Sequence, residues 1–329
     1  MVSANGIYRA AERLKGHAVR TPLMENEILN DRLGGRVLMK AEMLQHCGSF
    51  KFRGAFNRLS QLTAAERKAG VLAWSSGNHA QGVARAARHF DIPAVIVMPA
   101  DAPALKVEKV RAYGAQIITY DRYREDREAI GRPLAAEKGY ALAPSYDHVD
   151  IIEGQGTAAL EAAQQADARG LTMDDFVICC GGGGLTAGCA TILKEISPDT
   201  AITIAEPEGF AESWASVSAG TRCHADITQM TECDAIATPT PGQLTLPIMQ
   251  ALVTGGVSLT PAEVRDAMVF AFKYLKLVLE PGGAVALAAV LAGHVPVRDK
   301  VVGLTLSGGN VDPDLFARIL NAHSEKPRD

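Results

Sequence analysis

Short runs of β-branched and aliphatic residues alternate along the chain with longer alanine-rich stretches, the pattern of a parallel sheet wrapped by helices. In the first half, strands are predicted at Arg36-Val37-Leu38-Met39-Lys40, Val71-Leu72-Ala73-Trp74, Ala94-Val95-Ile96-Val97-Met98 and Ala115-Gln116-Ile117-Ile118-Thr119. Asp175-Phe176-Val177-Ile178-Cys179, Ala201-Ile202-Thr203-Ile204-Ala205 and Val301-Val302-Gly303-Leu304-Thr305-Leu306 follow. Between them, 80–89, 105–113, 156–168 and 186–196 read as helices. No repeat, low-complexity segment or long linker breaks the series. Residues 65–147 carry a compact strand–helix series of their own. This predicts a small domain at 65–147 inserted into a larger one made of 1–64 and 148–329, with a cleft between them.

Composition narrows the class. The 329 residues are 47% hydrophobic and 21% charged, with a formal net charge of -4, enough for a sizeable core. A mildly acidic balance without basic runs argues against nucleic-acid and membrane partners. The N-terminal Met1-Val2-Ser3-Ala4-Asn5-Gly6 lacks a signal pattern, and no apolar run reaches spanning length, so a cytoplasmic protein is expected. Cysteines 47, 179, 180, 189, 223 and 233 have no zinc spacing and read as free thiols. On a strand, the adjacent Cys179 and Cys180 would point to opposite faces.

Four segments carry candidate chemistry. Lys51, in Gly48-Ser49-Phe50-Lys51-Phe52-Arg53-Gly54-Ala55, is flanked by small residues and two phenylalanines. Such a lysine is either a desolvated, nucleophilic amine or an amphipathic side chain that snorkels to solvent. Cys180-Gly181-Gly182-Gly183-Gly184-Leu185-Thr186-Ala187-Gly188 follows a strand and opens a helix, where converging N–H groups suit a phosphate. Gly182-x-Gly184-x-x-Ala187 also fits a dinucleotide fingerprint, with Glu206 ending the next strand. That rival leaves Lys51 and the other two loops without a purpose. Ser75-Ser76-Gly77-Asn78-His79 reads as an anion site for a carboxylate or as ordinary N-capping. Ser307-Gly308-Gly309-Asn310 ends a strand with a hydroxyl and two glycines.

In their order and spacing these segments resemble the pyridoxal-phosphate enzymes of fold type II, the tryptophan-synthase-β-like group. Within it, they resemble the serine/threonine dehydratase and serine racemase branch. The similarity runs from Arg20-Thr21-Pro22-Leu23 through Gly154-Gln155-Gly156-Thr157 to Glu280-Pro281-Gly282-Gly283-Ala284. It implies an α/β fold of two open parallel-sheet domains with pyridoxal 5'-phosphate in the cleft. The larger domain would bind the cofactor and the smaller one the substrate. By the same resemblance Lys51 carries the cofactor as a Schiff base and later takes the substrate α-proton. Phe50 and Asn78 join the cofactor's binding set, Asn78 at the ring hydroxyl. Gly181, Gly182, Gly183, Gly184 and Leu185 hold the phosphate. Ser307 faces the pyridine nitrogen, where a neutral hydroxyl favours prompt loss of a β-leaving group. Ser75, Ser76, Gly77, Asn78 and His79 are implied to bind the substrate carboxylate, and Ser76 matches the acid–base residue on the opposite face in racemase relatives. A cation (Mg²⁺, Ca²⁺ or Mn²⁺) is implied at Glu206, the Phe210 carbonyl and Glu212, where the family more often has Asp. The alternative is that both glutamates are solvated helix-entry charges.

The implied activity is deamination of 3-hydroxy amino acids, by default L-serine and L-threonine, to 2-oxo acids by α-proton abstraction and β-elimination. A 3-hydroxyaspartate dehydratase and a serine or aspartate racemase are the alternatives within the family; a nicotinamide dehydrogenase and an inert ligand-binding module lie outside it. His46-Cys47 replaces the family's usual Pro-Thr, and Ala143-Pro144-Ser145-Tyr146-Asp147 replaces its His-Pro-Phe-Asp stretch, so specificity is expected to differ. Residues 239–245 would form the facing wall. A dicarboxylate substrate needs an added cation or donor set near the β-carbon, for which Arg53, His46, Tyr146 and Arg124 are the candidates. About 20 residues follow Ser307, so no C-terminal regulatory domain of the biosynthetic threonine deaminase kind is expected. A homodimer is expected from the family.

Overall fold

The apolar runs fold into two separate sheets. In the computed structural model, which describes residues 1–324 apart from Ser76, Pro103, Arg122 and Ile227, Ala104, Leu105 and Ser324 are described by backbone alone. In chain order the strands are β1 (Leu23–Met24), β2 (Arg36–Ala41), β3 (Val71–Trp74), β4 (Ala94–Pro99) and β5 (Gln116–Tyr120). They continue with β6 (Ala141–Leu142), β7 (Asp175–Cys179), β8 (Ala201–Pro207), β9 (Gly255–Leu259) and β10 (Val301–Leu306). The larger sheet has the order β1-β2-β10-β7-β8-β9 and the smaller one β5-β4-β3-β6. Every pairing is parallel except β1 with β2, an antiparallel edge.

Burial explains why these strands were visible in the sequence. Each residue of β3 and β4 is buried, because parallel strands covered by helices on both faces need unbroken apolar runs. β9 begins Gly255-Gly256 and carries a half-exposed pattern, so it had no such run to announce it. The helix expected at 156–168 starts earlier and spans Val149–Asp167, with the His148 side chain accepting from the Asp150 N–H at its start. Gly154 and Gly156 lower helix propensity there for a packing reason. A Cβ on Gly156 would lie 2.7 Å from the Gly188 carbonyl, and one on Gly188 would lie 2.3 Å from that of Ile152. The helices Val149–Asp167 and Gly184–Ile196 therefore touch backbone to backbone, which fixes where the second one begins.

Helix Lys51–Ser60 lies between the two sheets. Its Phe52, Phe56 and Leu59 pack with Val71, Val83 and Ile96 around the smaller sheet. Its other face carries Arg53, fully buried and held by a closed ion network. Arg53 donates to both oxygens of Glu42 (2.7 and 2.8 Å) and both of Glu161 (2.8 Å each), while Lys40 reaches Glu161 at 2.7 Å. Two cations face two carboxylates, so the charges balance in a largely desolvated place. Helix Pro281–Leu291 is apolar on all sides and buried from Pro281 to Val290, as a helix inside a core must be.

Two expectations need correction. Residues 221–244 contain no helix or strand among those described, although the sequence showed no long linker. The stretch is anchored by buried Cys233 and Ile236. Arg53 is also spent on Glu42 and Glu161, so it is not a cation for a substrate. The six cysteines are free thiols, with Cys179 and Cys180 packed in different clusters as their opposite directions require. No helix among the described residues is long and apolar enough to cross a membrane.

Candidate active site

Three helices, Lys51–Ser60, Asn78–His89 and Gly184–Ile196, begin at one cavity. Their first residues Lys51, Asn78 and Gly184 all line it, beside Phe50, Ser75, Gly77, His79, Tyr146, Cys179 and the remaining glycines of 181–184. Converging N-termini concentrate unpaired N–H groups and partial positive charge, a setting for anions. Segment 234–238 of the irregular stretch closes one side.

Lys51 directs its amine at the Ser145 carbonyl, 2.8 Å away, and 5.2 Å over the Phe50 ring. Desolvation pulls that amine down to about 8, with Cys179 and Glu280 opposing the shift. The snorkelling alternative is excluded, and the free-base fraction near neutral pH rises by about two orders of magnitude over an ordinary lysine. Two residues back along the same segment, the His79 Nε2–H donates to the Ala143 carbonyl (2.7 Å). Burial, and then the charge of Lys51, push His79 down to about 3, so the ring is neutral and its buried Nδ1 keeps a lone pair without a partner.

The Lys51 segment is strapped to the Ser307 segment. Phe50 N–H donates to the Ser307 carbonyl (3.2 Å), Gly309 N–H to the Gly48 carbonyl (3.0 Å) and Asn310 Nδ2 to the Cys47 carbonyl (2.7 Å). The crossing forces Cys47 into the left-handed region, φ 63°. Ser307 itself is buried behind the cavity wall, its hydroxyl beside the Cys179 thiol. Asn78 is clasped from both sides, donating to Glu280 Oε1 (2.6 Å) and accepting from Asn310 Nδ2 (2.8 Å). Burial raises Glu280 to about 7. From the sequence Glu280 is only a glutamate before a proline; the fold buries it at the start of an all-apolar helix, against Asn78. Ser76 lies outside the described residues.

The glycine loop is built as a cradle. Its carbonyls are tied from outside, Gly181 by the Ser213 hydroxyl (2.6 Å) and Gly182 by the Thr245 hydroxyl (2.7 Å). Gly183 caps the helix at φ 88°, a conformation that a residue with a side chain resists. A Cβ on Gly182 would stand 2.5 Å from three atoms of the Tyr146 ring, so that ring lies flat against the loop. Thr186, in the first helical turn, lines the cavity with a buried hydroxyl that has no partner. The bare backbone, the orphaned hydroxyl and the depressed lysine fit a phosphate-bearing aldehyde.

Of the three residues expected at the cation site, the two glutamates are near enough to feel each other's charge. Glu206, buried near the end of β8, accepts from Ser213 N–H (3.1 Å) and Trp214 N–H (2.8 Å). Glu212 accepts from the Thr238 hydroxyl through Oε1 (3.1 Å), while its Oε2 is buried without a partner. Burial raises Glu206 to about 8, with the Glu212 charge adding to it, and raises Glu212 to about 7. Phe210 is buried between them in sequence. The solvated-charge alternative does not describe two buried carboxylates.

Of the four cation or donor candidates for a dicarboxylate, only Tyr146 reaches the cavity. His46 bonds the His17 carbonyl at 3.0 Å and packs edge-on to Phe52, and Arg124 is exposed beside Asp121. Arg127 lines the cavity instead. It stands in a polar stretch, Asp126-Arg127-Glu128, that carried no sequence signal.

With this geometry in place, the relatives are informative. The description "Pyridoxal-phosphate dependent enzyme" matches residues 14–308. The chain belongs to that family, and the nicotinamide reading of the glycine loop falls away. Within the family it sits in the serine/threonine dehydratase and serine racemase branch. It is 44% identical over 318 residues to an L-threo-3-hydroxyaspartate ammonia-lyase of Pseudomonas sp, covering 97% of this chain and 98% of the relative. A protein of the same description from Saccharomyces cerevisiae is 41% identical, covering 97% and 96%. Among solved structures, maize serine racemase superposes with TM-score 0.91 at 34% identity, covering 98% of each chain. The two-sheet architecture is that of fold type II.

Proposed function

We propose that the protein is an ammonia-lyase of 3-hydroxy amino acids, converting them to 2-oxo acids and ammonia. The observation that carries this reading is Lys51, an amine held near pKa 8 where three helix N-termini meet. The proposed cofactor set is Lys51, Phe50, Asn78, Gly181, Gly182, Gly183, Gly184, Leu185 and Ser307. When bound, pyridoxal phosphate supplies an electron sink for the charge left on the α-carbon. The N–H groups at 75–79 and the start of helix Asn78–His89 take the substrate carboxylate and thereby fix the direction of the α-hydrogen. Lys51, as free base, removes that hydrogen. The segment 143–146, held by His79 and packed on the glycine loop through Tyr146, covers the reacting carbon from bulk water. The β-hydroxyl leaves as water, and water returns when the product hydrolyses to oxo acid and ammonia. The test is cofactor-loaded protein assayed for both products on L-serine, L-threonine and 3-hydroxyaspartate. Absence of oxo acid from all three, or unchanged turnover in Lys51→Ala, would sink the reading.

The same proposal places a divalent cation on Glu206, Glu212 and the Phe210 carbonyl, supported by the unpartnered Glu212 Oε2. It divides the chain into a cofactor domain (1–64 and 148–329) and a substrate domain (65–147), supported by the two sheets. It also includes a homodimer, supported by Phe272, Tyr274 and Val278, which expose large apolar side chains within one short stretch.

A further inference from the structure

We propose that Asp147 is a positioning residue for the phosphate cradle, holding the glycine loop in shape from outside through Thr245. The inference rests on the cofactor reading above and adds to it a residue outside the cavity. Helix Thr245–Leu252 starts without a cap of its own: Leu244 stands at its N-cap with helical backbone and no side-chain acceptor. The acceptor comes from 97 residues earlier in the chain. Asp147 takes the N–H of Gln243 through Oδ2 (2.9 Å) and that of Leu244 through Oδ1 (2.8 Å), one oxygen for each donor. Donors at a helix entry lack partners within the helix, and an anion is favoured there.

The turn held in this way is the one that grips the glycine loop. Thr245 is fully buried; its hydroxyl accepts from Gly242 N–H (2.9 Å) and donates to the Gly182 carbonyl (2.7 Å). Gly242 N–H also reaches that carbonyl, at 3.2 Å. The packing leaves no slack, since a Cβ on Gly242 would stand 2.2 Å from Asp147 Oδ1. Arg222 donates to the Pro241 carbonyl (3.1 Å), so the turn is tied on both sides of Gly242. Neither Asp147 nor Thr245 lines the cavity that holds Lys51; Asp147 lines an adjoining one.

Backbone freedom is what makes such a tie necessary. Four consecutive glycines leave the peptide planes of 181–184 free to rotate, and a rotated plane turns its N–H away from a phosphate. Within one trans peptide the carbonyl and the following N–H point in opposite directions. A hydroxyl fixed on the Gly182 carbonyl from outside therefore holds the Gly183 N–H toward the cavity. Asp147 also adjoins Ser145, whose carbonyl accepts from Lys51, and Tyr146, whose ring lies against the same glycine. Three consecutive residues thus reach the lysine, the loop and the loop's outer tie.

Two aldehydes, one with the phosphate and one without, test this. Pyridoxal phosphate and pyridoxal are titrated into cofactor-free protein, and each is read from the absorption band it forms on Lys51. In Asp147→Ala the dissociation constant for pyridoxal phosphate should rise about tenfold, the size of a lost helix cap, while that for pyridoxal stays within about twofold of wild type. Asp147→Asn keeps one acceptor and should recover part of the loss. Thr245→Val should reproduce the split between the two aldehydes. The double variant should lose no more than Thr245→Val alone, because the two residues act in series. Equal losses for both aldehydes would make Asp147 a support of the fold only and overturn the assignment. An Asp147→Ala protein that binds both as wild type does, or effects that add in full, would overturn it as well. Should Asp147→Ala not fold, Asp147→Asn supplies the same comparison with the same outcomes. A wild type that binds pyridoxal as tightly as pyridoxal phosphate defeats the cradle itself, and the assignment with it.

Discussion

Lys51 donates its one observed hydrogen bond to the carbonyl of Ser145, across from the helix that carries it. The bond ties the nucleophile to the segment joining β6 to helix Val149–Asp167. Its neighbour Tyr146 covers the glycine loop, so the resting lysine and the closed phosphate cradle belong to one arrangement.

The first prediction concerns the charge on that amine. Lys51 drops from 10.5 in the unfolded chain to about 8 in the fold, so between these values the unfolded state holds more protons. Stability of the cofactor-free wild type, relative to Lys51→Met, should therefore rise as pH goes from about 8 to 10.5 and stay level below 8. Chemical denaturation at stepped pH checks it; a difference that is flat across the window would show that the amine is not desolvated.

Gly182→Ala should force the Tyr146 ring off the loop. We expect the fold to survive and cofactor retention on dialysis to fall at least tenfold. Adding Tyr146→Ala should restore part of the loss, a coupling that a double-mutant cycle measures directly. Independent effects would mean that the ring and the loop do not share the space.

Arg53→Met leaves Glu42 and Glu161 facing each other with Lys40 alone to balance them. A loss of roughly 3–5 kcal/mol is expected from denaturant midpoints, as for other broken buried pairs. Substrate ranking should not change, because Arg53 does not reach the cavity. A shift in ranking without loss of stability would contradict the network.

Removing divalent cations with a chelator should lower the melting temperature of wild type by several degrees, since a cation held only by the folded protein stabilises it by mass action. Glu212→Gln should melt at a temperature insensitive to chelator. Equal chelator sensitivity in both proteins would count against a cation at this place.

Much of the scaffold could be read in advance, for a physical reason. Parallel strands buried on both faces write themselves as nearly uninterrupted apolar runs, so β2, β3, β4, β7, β8 and β10 stood out, while β5, a half-exposed edge, was legible from its β-branched Ile117-Ile118-Thr119. The short edges β1 and β6 and the glycine-led β9 did not. Lys51, Asn78 and the 181–184 glycines were legible because their chemistry demands special residues at the ends of strands. Arg127 and Glu280 were not, since an arginine in a polar helix start and a glutamate before a proline look ordinary until the fold surrounds them. His46 and Arg53 misled for the converse reason: proximity to Lys51 in the chain is not proximity to its amine.

The strap between 47–50 and 307–310 has a consequence for biosynthesis. β10, which delivers 307–310, follows the other described strands in the chain and is an inner strand of the larger sheet, between β2 and β7. A nascent chain that has emerged only as far as β9 has its lysine, its asparagine and its glycine loop, but not the strap that ties the Lys51 segment to 307–310. Vitamin capture should thus reach full strength only once residue 310 has cleared the ribosome and closed that strap.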